Sequence, residues 1–352
     1  MSIKAKSNYK SRTFLLSLVI LFTCLLEIFP DQYLVFNLMT SGLLCLYWLL
    51  TKANRMKIID FVLILFVILQ IFGAMTIDRI SIFVFFLFLE TKELYSKRSI
   101  KIAIFIMTVF FAIVVMAYYL FDYNRSFDIT SWDRINNNFL LQKGLGFTNA
   151  NRCMLYLFCS SLLIILVSKK IAVYAVVLAV NYFVYTETQS RTFFYAISAI
   201  MVALLVLKVF KSENKATFLG KIAPLSFLLI FALSIILPLY FANTHLDDLF
   251  TGRLTHNKEF LEYGLSWFGN SELEKVTFDS SYLHMLLTKG VLYTPMYAYL
   301  ALRNRNKSLS NKEAIILVSL FAVAFMEVIF LKYMVMIIIG YIYNGGNQEY
   351  AK

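Results

Sequence analysis

The chain is short of almost everything a soluble enzyme relies on. Only 15% of its 352 residues are charged, and it has only four prolines, four cysteines and three histidines. With 60% hydrophobic residues it has too little polar surface for a water-soluble fold, whose chains are about 45–50% apolar and about 25% charged. There is no Walker loop, Gly-rich dinucleotide turn, HExxH, CxxC or Gly-x-Ser-x-Gly element. ATP-driven, dinucleotide-dependent, metal-centred and serine-nucleophile chemistries are therefore without support, and no cofactor or metal is expected. Cys24, Cys45, Cys153 and Cys159 all lie inside apolar runs. They read as small buried hydrophobes, not as a disulfide or metal set. The net charge of +12 does not point to nucleic acid, because the basic residues sit in short clusters between apolar runs. That is the pattern of membrane topology.

What is present is apolar sequence in helix-length blocks, with a mean hydropathy of +0.72. Crossing a bilayer takes about 20 apolar residues, and transmembrane barrels show weaker, alternating runs. The expected fold is an all-α integral membrane protein, one polytopic domain over residues 1–352. Its twelve spans lie near 14–30, 33–50, 58–76, 78–90, 100–121, 150–168, 171–186, 192–210, 222–241, 281–302, 313–328 and 330–343. No small-residue cleavage site follows the first, so it reads as an uncleaved span.

Charge tests the count. With Lys4, Lys6, Lys10 and Arg12 in the cytoplasm, alternate intervals carry Lys52/Arg55/Lys57, Lys92/Lys97/Arg98/Lys101, Lys169/Lys170, Lys208/Lys211/Lys215/Lys221 and Arg303/Arg305/Lys307/Lys312. Every strongly basic loop then falls on one side, and both termini are cytoplasmic. The other side receives Asp31, Arg79, residues 122–149, the turn 187–191, residues 242–280 and a turn near Glu327. Reading 58–90 as a single span would throw Lys97, Arg98 and Lys101 outside, so it is read as a hairpin. Its second arm is short, and a re-entrant segment is the alternative. The 313–343 pair rests on length alone, leaving ten to twelve spans.

The longest polar interval, 242–280 between spans nine and ten, is the expected large extracytoplasmic loop. It holds His245, His256, Arg253 in Thr-Gly-Arg, and Asp279 before Ser280-Ser-Tyr282; His284 follows. Arg191, in the turn Thr186-Glu-Thr-Gln-Ser-Arg-Thr192, is either a snorkelling interfacial cation or an anion site at a cavity mouth. Arg253 is either a solvated charge or a second anion contact, with Gly252 allowing close approach. Asn149 and Asn151 are N-cap candidates for the sixth span or amides lining a sugar site. Arg152 beside them reaches either a phosphate or lipid headgroups. His256 suits a general base, since its unperturbed pKa of about 6.5 is close to neutral. Asp279 is either a helix N-cap or a site carboxylate, and Glu187 is placed to pair with Arg191.

Several of these segments occur in an order that resembles the Wzy-type polysaccharide polymerases. They are Gly144-Leu-Gly-Phe-Thr-Asn-Ala-Asn151, Thr188-Gln-Ser-Arg-Thr192, Leu249-Phe-Thr-Gly-Arg-Leu254, Tyr263-Gly-Leu-Ser-Trp-Phe-Gly269, Asp279-Ser-Ser-Tyr-Leu283 and Lys289-Gly290. The likeness is to the Gram-positive capsule and exopolysaccharide members, related to O-antigen ligases, and covers roughly residues 140–300. It implies glycosyl transfer at the outer face of a bacterial cell membrane, without nucleotide or metal. A growing glycan would pass from undecaprenyl diphosphate to a new lipid-linked repeat unit. In that picture Arg191 and Arg253 hold the diphosphate, Asn149, Asn151, Arg152 and Tyr282 line the substrate, and His256 or Asp279 removes the acceptor proton. The implied partners are the lipid-linked oligosaccharide, membrane lipid, a flippase and a chain-length regulator, with no nucleic acid. Many relatives carry proline between the two asparagines, where this chain has Ala150. The alternatives are an O-antigen-type ligase and a flippase or other transporter. A carrier should show broken or polar spans at mid-membrane; here the apolar runs read as clean and the polar residues gather at one edge.

Overall fold

The computed structural model describes residues 3–29, 33–52, 58–74, 77–133, 138–303 and 308–344. Of the charges used for topology, Asp31, Arg55, Lys57, Arg305 and Lys307 lie outside them. Helix α1 runs Ile3–Ile28, α2 Tyr33–Lys52, α3 Ile58–Ala74, α4 Ser81–Glu90 and α5 Lys97–Phe121. An antiparallel hairpin follows, β1 Ile129–Asp133 with β2 Asn138–Gln142, in the register Ile129 to Gln142. Then come α6 Ala150–Val167, α7 Ile171–Thr188, α8 Arg191–Val209, α9 Phe218–Ile222 and α10 Ser226–Phe241. The polar interval holds α11 His245–Leu249 and α12 Arg253–Leu261. The chain closes with α13 Ser281–His284, α14 Tyr293–Leu302, α15 Asn311–Met326 and α16 Tyr333–Asn344.

The protein is helical, as the apolar runs require, and most of the described part of each run lies on helix. Length divides them. Among the described residues, five helical segments are long and apolar enough to cross a membrane: Arg98–Phe121, Ala150–Val167, Ile171–Thr188, Arg191–Val209 and Phe218–Phe241. Ser17–Ile28, Leu34–Leu50, Phe61–Gly73, Ser81–Glu90 and Tyr333–Asn344 are apolar but shorter. Helix α4, at ten residues, rises only about 15 Å, half of a hydrocarbon core of about 30 Å. The expected tenth span is not continuous. α13 passes into a π turn, Met285–Lys289, and Gly290 then breaks the helix at φ +99° before α14 starts. Helix boundaries follow local capping. Ser96 Oγ accepts from Ser99 N at the start of α5, and Ser310 with Glu313 forms a reciprocal capping box on α15.

The chain folds as two compact units. The first comprises the described residues of 3–51 and 91–210. Its core is α6, buried along most of its length and packed against α5, α7 and α8. Asn181 Nδ2 donates across to Ser161 Oγ at 2.8 Å, tying α7 to α6. Cys24, Cys153 and Cys159 are buried and Cys45 is half-buried, all as free thiols.

The second unit comprises residues 52–90 and 211–346. Here α4 is buried nearly all round, packed on α14 and α16. Phe227, Tyr282, Tyr297, Phe321 and Phe330 form an aromatic core, with Tyr282 edge-on to Phe330 at 4.8 Å. α4 and α14 run side by side in the same direction: Ser81 Oγ lies 2.8 Å from the Tyr293 hydroxyl, and Arg303 pairs with Glu90 at 2.7 Å. Intervals assigned to one face by charge are also joined here. Asn311 N donates to Lys215 O, Lys312 N to Glu213 O, and Lys312 pairs with Glu213 at 3.4 Å.

Candidate functional site

The sequence-derived site residues separate into two groups, one in each unit. In the first unit Asn149 caps α6, its Oδ1 accepting from Arg152 N at 2.8 Å. Asn151 Oδ1 accepts from Ser190 Oγ at 2.7 Å, bringing the start of α6 to the start of α8. Arg191 is the first residue of α8, half-buried, close to the Tyr185 hydroxyl. Arg152 is also half-buried. Glu187, expected to pair with Arg191, is held by Lys143 instead: Nζ meets Oε2 at 2.6 Å, and Lys143 N donates to Glu187 O. That carboxylate holds the Lys143 ammonium above its ordinary pKa. The hairpin is pinned in the same way, because Asp128 accepts from the Tyr118 hydroxyl at 2.6 Å and from Gly144 N at 2.8 Å.

In the second unit the polar interval is a folded cap built on Asp247. Its carboxylate is 5% exposed and accepts from Leu254 N, Thr255 N, Thr255 Oγ1 and Asn243 N. Burial alone would raise its pKa, but these donors outweigh burial and hold it below the usual carboxylate value. The turn ends at Gly252, φ +82°, whose N–H bonds to Asp247 O; this left-handed residue starts α12 and sets Arg253 at its first position. An arginine there opposes the helix dipole. The cost is offset by contacts to Met326 O and to Glu327 at 3.5 Å, with Asp279 3.9 Å from Nε. Asp247→Asn is therefore expected to loosen α12 by about 1–3 kcal/mol, seen as faster hydrogen exchange over residues 253–261 at neutral pH. Because the folded carboxyl has the lower pKa, its contribution is present above about pH 3.9 and fades as pH falls further. The gap between wild type and variant should close in the same window.

Arg253 and Asp279 thus meet, as a site would require. His256, one turn along α12, faces elsewhere. It pairs with Glu259 at 3.5 Å, lies 3.4 Å from Thr277 O, and its side chain is 43% exposed. A ladder of rings, His256 on Phe260, Phe260 on Phe278 and Phe278 on His284, separates the two histidines. Tyr282 has no exposed surface, and its hydroxyl donates to Phe321 O within the core. His245 is fully exposed on α11.

Two glycine motifs organise what lies deeper. Residues 266–270 run against residues 287–292 backbone to backbone: Asn270 N bonds Leu287 O, Val291 N bonds Ser266 O, and Leu292 N bonds Trp267 O. Gly269 (φ +83°) and Gly290 (φ +99°) face each other across this joint, and a Cβ on either would strike the opposing backbone. The joint fixes Lys289, 4% exposed, with Nζ 2.6 Å from Glu274 Oε1. Arg79, with no exposed surface, donates Nη2 to Thr288 O at 2.8 Å and lies 3.6 Å from the same Glu274 oxygen. By sequence Arg79 falls in an outer turn, and neither Glu274 nor Lys289 has an evident charge role. The available signal was Lys289 itself, an ionisable residue inside an expected span, which is costly without a partner or function. Among the described residues no His/Cys/Asp/Glu group could hold a metal ion. No protein-family model, curated protein or solved structure matches the chain.

Proposed function

We propose that the protein is a membrane glycan polymerase, extending capsular or exopolysaccharide by transfer from undecaprenyl-diphosphate-linked repeat units. The observation that carries this reading is the meeting of the resemblance motifs in the second unit. Tyr263–Gly269 and Lys289-Gly290 interlock, and Arg253 of Thr-Gly-Arg lies 3.9 Å from Asp279. A donor already activated as a diphosphate needs anion stabilisation and alignment more than a cofactor. The acceptor hydroxyl attacks the anomeric carbon as its bond to the diphosphate oxygen breaks. Undecaprenyl diphosphate leaves with the electron pair, and the hydroxyl proton passes to a carboxylate. Asp279, beside Arg253, suits that role better than His256, which is turned to Glu259. In this reading the segment 242–280 is extracytoplasmic, the termini are cytoplasmic, the apolar runs make ten to twelve crossings, and a flippase and chain-length regulator are natural partners.

Purified protein supplied with lipid-diphosphate repeat units should give laddered polymer on a gel. Arg191→Ala and Arg253→Ala are each expected to abolish the ladder while the protein still inserts, and Asp279→Asn to slow it about 100-fold or more. Normal ladders from both arginine variants would sink the proposal. A ligase would instead move the glycan to a different acceptor. The carrier reading gains from short α4 and from the break at Gly290, since discontinuous helices line carrier sites. Lipid-linked sugar crossing vesicle leaflets without any ladder would decide for it.

A further inference from the structure

The hairpin of the first unit carries exposed apolar surface that the proposed chemistry does not use. Phe139 is 70% exposed and Leu141 50%, two residues apart on β2, and alternate residues of a strand share a face. The register sets Phe139 opposite Trp132 and Leu141 opposite Thr130. These four positions make one face of the ribbon, with no charged or amide residue among them, whereas Asp133, Asn138 and Gln142 fall on the other. A two-stranded ribbon is marginally stable in water and needs a surface to lie on. Its base shows which surface is at hand. Asp128 accepts from the Tyr118 hydroxyl of α5, and Lys143 pairs with Glu187 near the end of α7. Both anchors lie where α5 and α7 finish and α8 begins, and these are three of the helices long and apolar enough to cross a membrane. Within two turns of that end Tyr119, Phe121, Tyr182, Phe183 and Tyr195 are exposed. Tyrosines gather where a bilayer meets water, since the ring is apolar and its hydroxyl polar.

We propose that the hairpin is a lipid-interface anchor. The face of Phe139 and Leu141 rests in the boundary between headgroups and acyl chains at the end of α5 and α7, and the face of Asp133, Asn138 and Gln142 stays toward water. Asp128 and Glu187 then fix the height at which the ribbon leaves the helices. The occupant is a bilayer because the apolar face continues the exposed rings of the helices that hold it. A five-residue strand with two exposed apolar side chains falls well short of the roughly 800 Å² per partner of a stable protein interface, which argues against a second copy of the chain. The inference rests on the reading of these helices as membrane spans, and it holds for a polymerase or a carrier alike.

The test is a nitroxide scan of the full chain in phosphatidylcholine nanodiscs. Phe139→Cys, Leu140→Cys, Leu141→Cys and Gln142→Cys are labelled one at a time, with Leu120→Cys of α5 as the membrane reference. All five positions are exposed or half-buried, so cysteine there leaves core packing in place. Wild-type protein labelled in parallel gives the background from the native thiols. Power saturation compares collision with oxygen, which concentrates in lipid, and with a nickel chelate, which stays in water. The oxygen-to-nickel ratio is expected to be severalfold higher at positions 139 and 141 than at 140 and 142. Nickel-dominated collision at 139 and 141, with oxygen-dominated collision at 120, overturns the anchor and leaves the span reading standing. Nickel-dominated collision at 120 removes the span reading and the anchor with it. Dipolar broadening at 139 that vanishes on dilution with unlabelled protein would identify a second copy as the occupant, and that too overturns the anchor.

Discussion

Gly290→Ala and Gly269→Ala are each expected to cost more than about 3 kcal/mol, enough to lose most of the folded protein. Two effects add. Both residues sit at positive φ, +99° and +83°, where an L side chain is strained. Each also faces backbone rather than a movable side chain: Gly290 faces Gly269 N and Trp267 O, and Gly269 faces Thr288 O. Backbone cannot rotate away, so relief means pulling apart the three hydrogen bonds that join residues 266–270 to 287–292. Gly264→Ala is the internal control. Its φ is +80° but nothing lies within 4 Å of an added Cβ, so it should cost only about 1–2 kcal/mol. Thermal unfolding and size-exclusion profiles of the three variants side by side are the measurement. Equal melting of Gly264→Ala and Gly290→Ala would show that the joint is free to open.

The second large effect concerns Glu274. Glu274→Gln is expected to destabilise the protein by about 3–5 kcal/mol, because it neutralises the carboxylate that buried Lys289 and Arg79 share. Lys289→Met should cost less, since Arg79 remains 3.6 Å from Glu274. A Glu274→Gln protein that melts with wild type would show that the cluster is screened by water and not desolvated.

The apolar runs were sufficient to locate the long helices of the first unit. The expected 150–168, 171–186 and 192–210 correspond to α6, α7 and α8 within two residues. A helix in an apolar setting must satisfy its backbone internally, so a long apolar run has few alternatives. Local chemistry was equally readable: Asn149 is the N-cap its position suggested. The hairpin 129–142 and the helices of the polar interval were not foreseen. Neither has a strong periodic signal, and both depend on single anchors, Asp128 and Asp247.

Hydropathy says that a segment leaves water but not what it meets when it does. α4 and α5 are both strongly apolar, yet α4 is enclosed by protein while Phe105, Ile113, Met116, Leu120 and Phe121 of α5 stay exposed. The same limit hid the charges. Arg79 and Glu274 are 195 positions apart in sequence, and nothing local to either announces the other. Composition and run length by themselves determined a helical, membrane-compatible protein, because transfer free energy is summed over neighbouring residues. Only the tertiary structure decided which helices are short and enclosed, that Gly269 and Gly290 lock together, and that Arg79, Lys289 and Glu274 share one buried place. Those features depend on distances between chain segments, which a one-dimensional pattern does not carry.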